Sequence, residues 1–369
     1  MEIQLTARAA AEYDFLRDNT MTPAMAAEYL RDGRIALRTF SETLREQYIY
    51  PDLESRLVSS FRCYDTGVDD RSVARNVSNW VRGKSQPRRR EDIFRICFSL
   101  DLTEAQANLL LGQCTEYGIH YREPRDVIYT WFLRNDRGYM EARDFFSSLP
   151  PAPRLTEYPA GCSAHITREV QSVFAGARNP EELRRVYLAN LDKFGQLHVR
   201  AYRYFDKYLN ILIHPDTGWD KSAAVEEYSL ETIMERYLSL HMPSGRSRLR
   251  YSVVQKLVKQ NWPNSTALKD IRAHREDVSR KLLLLLYIIT ENVVDDEYHE
   301  ADEDYLSLQD RLEDHWWVLN AILIDCGMPT LDPRNAFDWL ILYAMTADED
   351  ESMSERMSQV IDHLFADLQ

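Results

Sequence analysis

The sequence predicts an all-α protein, and three observations carry that expectation. Apolar residues recur at helical spacing along most of its 369 residues, no alternating strand-like segment of useful length occurs, and Gly (12) and Pro (14) are sparse. The order expected is a helix-turn-helix N-terminal domain, a helical middle bundle, and a C-terminal degenerate repeat of the N-terminal helical module. A chain of this length divides by default into two or three domains. The divisions expected here are 1–147, a proline-rich linker at 148–164, a middle bundle at 165–240 and a C-terminal module at 241–369.

The segment from residue 22, "TPAMAAEYLRDGRIALRTFSETLREQY", sets Met25, Tyr29, Ile35, Leu37, Phe40 and Leu44 at helical intervals. "YPDLES", "DTGVDD" and "GKSQP" then close successive helices, because Pro and Gly are the strongest local punctuation. "SLPPAPRLTEYPAGCSA" at 148–164, with four prolines, follows an amphipathic helix and reads as the linker. Beyond it, Tyr187, Phe194, Tyr202, Phe205 and Tyr208 form an aromatic stripe, expected to be core across two helices. The acidic runs 295–304 and 347–355 lack the Asp/Asn spacing and central Gly of a calcium loop and read as solvated loops.

The chain echoes itself at a constant offset of 212. "ANLLLGQCTEYGIHYREPRDVIYTWFL" (107–133) lies over "LNAILIDCGMPTLDPRNAFDWLILYAM" (319–345), pairing Asn108 with Asn320, Cys114 with Cys326, Arg122 with Arg334 and Asp126 with Asp338. Trp131 pairs with Tyr343. Each copy predicts a helix, a loop and a second helix, with the Asp near the second helix's positive end and the Arg tying down the loop before it. Upstream, "RRREDIFRICFSLDL" (88–102) and "EDVSRKLLLLLYIIT" (276–290) stand in corresponding places, and "RSVARNVSNWVRGK" and "STALKDIRAHRED" precede them. Only the first copy has clustered arginines.

That cluster is conspicuous in a chain of formal net charge −14. Residues 71–95 hold eight cations against two carboxylates, Glu91 and Asp92, a local +6. As a helix beginning after Asp69 or Asp70, residues 71–82 turn Val73, Val77, Trp80 and Val81 inward and show Arg71, Ser72, Arg75, Asn76, Asn79 and Arg82 outward. Arg pairs with guanine edges and Asn with adenine edges in bidentate fashion. Gly83 stops the helix, and Lys84, Arg88, Arg89 and Arg90 suit a phosphate backbone. An acidic remainder with one basic patch orients the encounter and discourages indiscriminate coating of nucleic acid.

"VSNWVRGKSQPRRREDIFRICFSLDL" (77–102) resembles the end of a Cro/repressor-type (Xre-like) helix-turn-helix domain, through Ser78, Trp80, Gly83, Lys84 and Pro87. The large helical form of such regulators occurs in Gram-positive bacteria and their mobile elements. The resemblance implies a small helical bundle, usually dimeric, whose second helix enters the major groove, with Arg71, Ser72, Arg75, Asn76 and Asn79 as base readers. It covers about a tenth of the chain. The family's Gln/Thr-rich opening and Leu-Ala pair are replaced by "LESRLVSSFRCYDTGVDD". The expected function is therefore sequence-specific binding of double-stranded DNA as a transcriptional regulator and homodimer, the C-terminal half serving dimerisation or partner sensing. The alternative is a non-enzymatic interaction protein whose basic surface docks an acidic protein partner.

Enzyme signatures are missing from the sequence. The histidines show no HExxH or HxH spacing, and no Gly-rich phosphate loop or GxSxG elbow appears. "HPDTGWD" (214–220) reads as a turn. The five cysteines, Cys63, Cys97, Cys114, Cys162 and Cys326, form no CxxC pair, which argues against a zinc site or disulfide framework. No catalytic role, metal or cofactor is expected. The longest apolar run, "LLLLLYII" (282–289), is far short of the roughly eighteen residues of a span, so no membrane contact and a cytoplasmic location are expected.

Overall fold

Side-chain caps decide where this chain starts its helices. Thr22, Thr39, Asp69, Asn179, Asn264, Ser279, Ser307 and Ser352 each stand just before a helix and accept a backbone N–H from its first turn. The computed structural model describes residues 5–64, 67, 69–114, 117–152, 166–195, 197–214, 227–243, 251–259, 262–290, 307–347 and 351–366. Cys162, most of the expected linker, most of 214–220, the acidic run 295–304 and residues 348–350 of the second acidic run lie outside these.

Among the described residues the chain is all helical, with no strand. A hairpin of α1 (Ala7–Asp18) and α2 (Pro23–Arg31) comes first. Then follow α3 (Phe40–Gln47), α4 (Leu53–Tyr64), α5 (Asp70–Val81), α6 (Arg90–Ser99), α7 (Glu104–Cys114), α8 (Pro124–Arg134) and α9 (Tyr139–Ser147). A second hairpin, α10 (Ile166–Ala175) and α11 (Pro180–Ala189), leads into α12 (Val199–Ile213). Next come α13 (Leu230–Ile233), which continues as a π turn at Met234–Leu238, α14 (Val253–Lys259) and α15 (Ser265–Arg272). The chain ends with α16 (Arg280–Ile289), α17 (Leu308–Asp325), α18 (Ala336–Ala344) and α19 (Met353–Leu364). The helical spacing read from residue 22 thus resolves into α2 and α3, with 32–39 non-helical between them and Met25 half exposed.

By contacts the chain divides into two units, one of Arg38–Val199 and one of Met1–Leu37 with Arg200–Gln369. The boundaries fall at 37/38 and 199/200, not at the expected 147/148 and 240/241. The expected middle bundle is shared out: α10 and α11 belong to the first unit, α12 and α13 to the second. The aromatic stripe is core in both, with Tyr187 and Phe194 buried in one and Tyr202, Phe205 and Tyr208 in the other.

Each unit is built around one central helix. In Arg38–Val199, α6 packs against α4, α7, α8 and α9, and Ile93, Phe94, Ile96 and Cys97 are fully buried. In the other unit α16 packs against the π turn, α17, α18 and α19. A helix covered on every side must be apolar all round, which accounts for the unbroken "LLLLLYII". No helix among the described residues is long and apolar enough to cross a membrane. None of Cys63, Cys97, Cys114 and Cys326 is in a disulfide, and burial pushes the Cys114 and Cys326 thiols up to about 12, leaving them unreactive at neutral pH.

Candidate nucleic-acid interface

The basic helix forms where the residue pattern sets it. Asp69 caps α5 by accepting the Ser72 N–H at 3.2 Å, and Val73, Val77, Trp80 and Val81 are buried, with Trp80 edge-on to Phe61 at 5.6 Å. Gly83 ends the helix in a left-handed conformation (φ +69°), and Lys84 and Ser85 both return their N–H groups to the Asn79 carbonyl. From α3, the Ser41 hydroxyl and the Arg45 guanidinium donate to the Val81 carbonyl, so the C-terminal end of α5 is held as well as its start.

The outward face separates the cations into three groups. Arg71, Arg75, Lys84, Arg88 and Arg89 are exposed and take part in no ion pair or side-chain hydrogen bond among the described residues. Asn76 is exposed and Asn79 half-buried, while the Ser72 hydroxyl is tied to the Asp69 cap. Arg82 is exposed but lies 3.8 Å from Glu54. Arg90 and Arg95 face inward. Arg95 donates to the Tyr139 hydroxyl and lies over its ring, and Arg90 pairs with Asp126 and donates to the Tyr117 and Gly118 carbonyls. Arg90 is therefore a scaffold residue, and its expected phosphate role is withdrawn.

The two carboxylates of this stretch do not neutralise the exposed set. Glu91 accepts from Arg125, Tyr129 and Tyr139, and Asp92 lies 3.6 Å from Arg95. Both are engaged away from Arg88 and Arg89. At the start of α6, Arg89 occupies the cap position and makes no capping bond. The first-turn N–H groups and the exposed arginines thus stand at one place, where a phosphate oxygen would be favoured by charge and dipole together.

Asp126 fixes this geometry from below. It is 2 % exposed and accepts the His120 N–H at 2.9 Å as well as Arg90, while the Asn108 side chain accepts the Ile119 N–H at 2.8 Å. Burial pushes the Asp126 carboxyl up, and Arg90 pulls it back. Burial also holds the His120 imidazole well below the usual histidine range, with Arg122 and Arg90 pushing the same way.

In the second unit Asp338 pairs with Arg280 at 2.7 Å and accepts the Asp332 N–H at 2.9 Å. Arg280 donates to the Pro329 and Thr330 carbonyls, and Asn320 accepts the Leu331 N–H. Every loop and acceptor position here is the first unit's plus 212. Arg280 begins α16 as Arg90 begins α6. That alignment is the signal that identifies Arg90 as internal, and it is invisible within a run of three arginines.

The surfaces above these matched networks differ. The two positions before Arg280 are Val278, buried, and Ser279, which caps α16 by accepting the Leu282 N–H. On α15, Lys269 pairs with Glu231 and Arg275 with Asp270. Positions 278 and 279 thus carry no arginine, and the exposed arginines nearest before them are Arg272 and the paired Arg275.

Among the described residues no cluster of His, Cys, Asp or Glu is arranged to hold a metal ion. Comparison with known proteins gives no match: no family model, curated protein or solved structure matches the chain.

Proposed function

We propose that the chain is a sequence-specific double-stranded-DNA-binding protein, a transcriptional regulator whose helix-turn-helix is α4–α5 with α5 entering the major groove. The observation that carries this is the set of five exposed cations, Arg71, Arg75, Lys84, Arg88 and Arg89, with no ion pair among the described residues, along one helix and the loop after it, in a chain of net charge −14. Arg71, Arg75, Asn76 and Asn79 read base edges; Lys84, Arg88 and Arg89, with Arg82 once released from Glu54, grip phosphates. The second unit is a degenerate copy of the same module that has kept the buried Arg–Asp network and lost the surface. One chain then offers one reading helix, and a palindromic site requires a homodimer.

The test is selection of a randomised duplex library by the full-length protein at near-physiological salt, with the Arg75→Ala/Asn76→Ala double variant as control. One enriched motif, lost in the variant, supports the reading. No enrichment from folded protein refutes it and points to an acidic protein partner for the same cations. Light scattering at micromolar concentration, with and without DNA, tests the dimer; a monomeric mass in both counts against it.

A further inference from the structure

The two helical hairpins dock in matching ways. In the unit Arg38–Val199, the Trp131 indole N–H donates to the Ala177 carbonyl, in the turn between α10 and α11, at 2.9 Å. In the other unit, the Tyr343 hydroxyl donates to the Met21 carbonyl, in the turn between α1 and α2, at 2.8 Å. Tyr343 is Trp131 plus 212. Each second hairpin helix begins on a capping residue followed by proline, Asn179–Pro180 and Thr22–Pro23.

Arginines on those helices reach carbonyls at the end of the module's last helix. Arg184 donates to the Ser148 carbonyl beyond α9, and Arg31 to the His363 carbonyl of α19. The segment leaving each hairpin also touches matched arginines: the Gly195 N–H donates to the Arg122 carbonyl, and Arg334 donates to the Ala36 carbonyl. Arg334 is Arg122 plus 212.

The pairing does not follow chain order. Along the sequence come hairpin, module, hairpin, module. The middle hairpin closes the module that precedes it, and in the C-terminal module the matching place lies beside α19. The N-terminal hairpin takes that place, burying Ala26, Ala27 and Leu30 of α2, which packs against α19, and presenting Glu12 to the Trp339 indole N–H at 2.9 Å.

We infer that residues 1–37 are the closing strap of the C-terminal copy, so that the repeating unit is a module followed by its hairpin and the last hairpin is carried at the front of the chain. This rests on the duplication and is independent of nucleic-acid binding. The strap supplies the second unit's core with surface that it cannot make from residues 200–369 alone.

A circular permutant tests it. The chain begins at Arg38 and carries residues 1–37 after Gln369. A Gly/Ser linker of about seven residues, added to 365–369 and 1–6, matches the eighteen residues between α9 and α10. The expected result is parental helicity and one cooperative melt within about 5 °C of the parent. Loss of helicity or of cooperative melting, both here and with a linker of about fifteen residues, overturns the inference. In the unpermuted chain, Ala27→Glu places a charge where α2 meets α19. Hydrogen exchange should then accelerate through α16–α19 as well as in the hairpin. Acceleration confined to residues 1–37 would make the hairpin an appendage and also overturn the inference.

Discussion

Replacing Arg89 by serine separates the fold from the proposed function. The residue stands at the cap position of α6 with extended backbone (φ −103°, ψ 133°) and makes no capping bond. Ser279, at the same position before α16, does cap its helix. Arg89→Ser should therefore stabilise the first unit by about 1 kcal/mol, raising its melting temperature by roughly 2–4 °C. It also removes one of the four cations assigned to phosphates, Arg82, Lys84, Arg88 and Arg89. If all four meet phosphates, log K falls with log salt at a slope of about −3.6, an affinity loss of about 150-fold between roughly 50 and 200 mM salt. With three the slope is about −2.7 and the loss about 40-fold. Fluorescence anisotropy of a labelled duplex across that salt range, beside thermal melts, gives both readings. The control is Arg90→Gln, which should leave the slope near about −3.6 and lower stability instead. An unchanged slope in Arg89→Ser, or an equal reduction in Arg90→Gln, would refute the assignment of the arginines.

Three further outcomes follow from the buried networks. Arg280→Met leaves Asp338 without its cation in a site where both side chains are less than a tenth exposed, and should cost about 3–5 kcal/mol in urea denaturation. Gly118→Ala puts a Cβ 2.1 Å from the Asn108 side-chain oxygen, which already holds the Ile119 N–H. Losing that bond should cost about 1–3 kcal/mol, and a denaturation midpoint checks it. His120 is held neutral when folded but protonates near pH 6.5 when unfolded, so its contribution is present above about pH 6.5 and is lost as pH falls. Stability should drop by roughly 1 kcal/mol between about pH 7 and pH 5.5, and His120→Gln should remove that share of the slope.

Local structure was legible wherever side chains speak to their own backbone. The cap at Asp69, the buried face Val73, Val77, Trp80 and Val81, and the stop at Gly83 all follow from period and residue type. The offset of 212 was legible too, and Asn108 with Asn320 and Asp126 with Asp338 make matching bonds. What short-range pattern could not express was partnership at a distance. Arg88, Arg89 and Arg90 are chemically identical in sequence, and Asp126, 36 residues away, with the Tyr117 and Gly118 carbonyls distinguishes the third. The boundary at 199/200 falls at the first turn of α12, where no Pro or Gly marks it, and the proline-rich stretch at 148–164 lies within one unit. The membership of residues 1–37 is set by bonds to residues more than 290 positions away.

The matched networks of the two units separate what a buried site constrains from what a surface leaves free. A buried ion pair constrains its position twice over, because removing either partner strands a charge, so both copies keep Arg–Asp and the loop carbonyls around it. Surface positions carry no such constraint, and there the copies are free to part. They part in one direction: a buried valine and a capping serine stand on one side, and two arginines with no ion pair among the described residues on the other. An uncapped helix start costs stability, and clustered like charges repel. Among the described residues no contact offsets either cost, and this supports the proposal that the arginines of the first unit meet a polyanion.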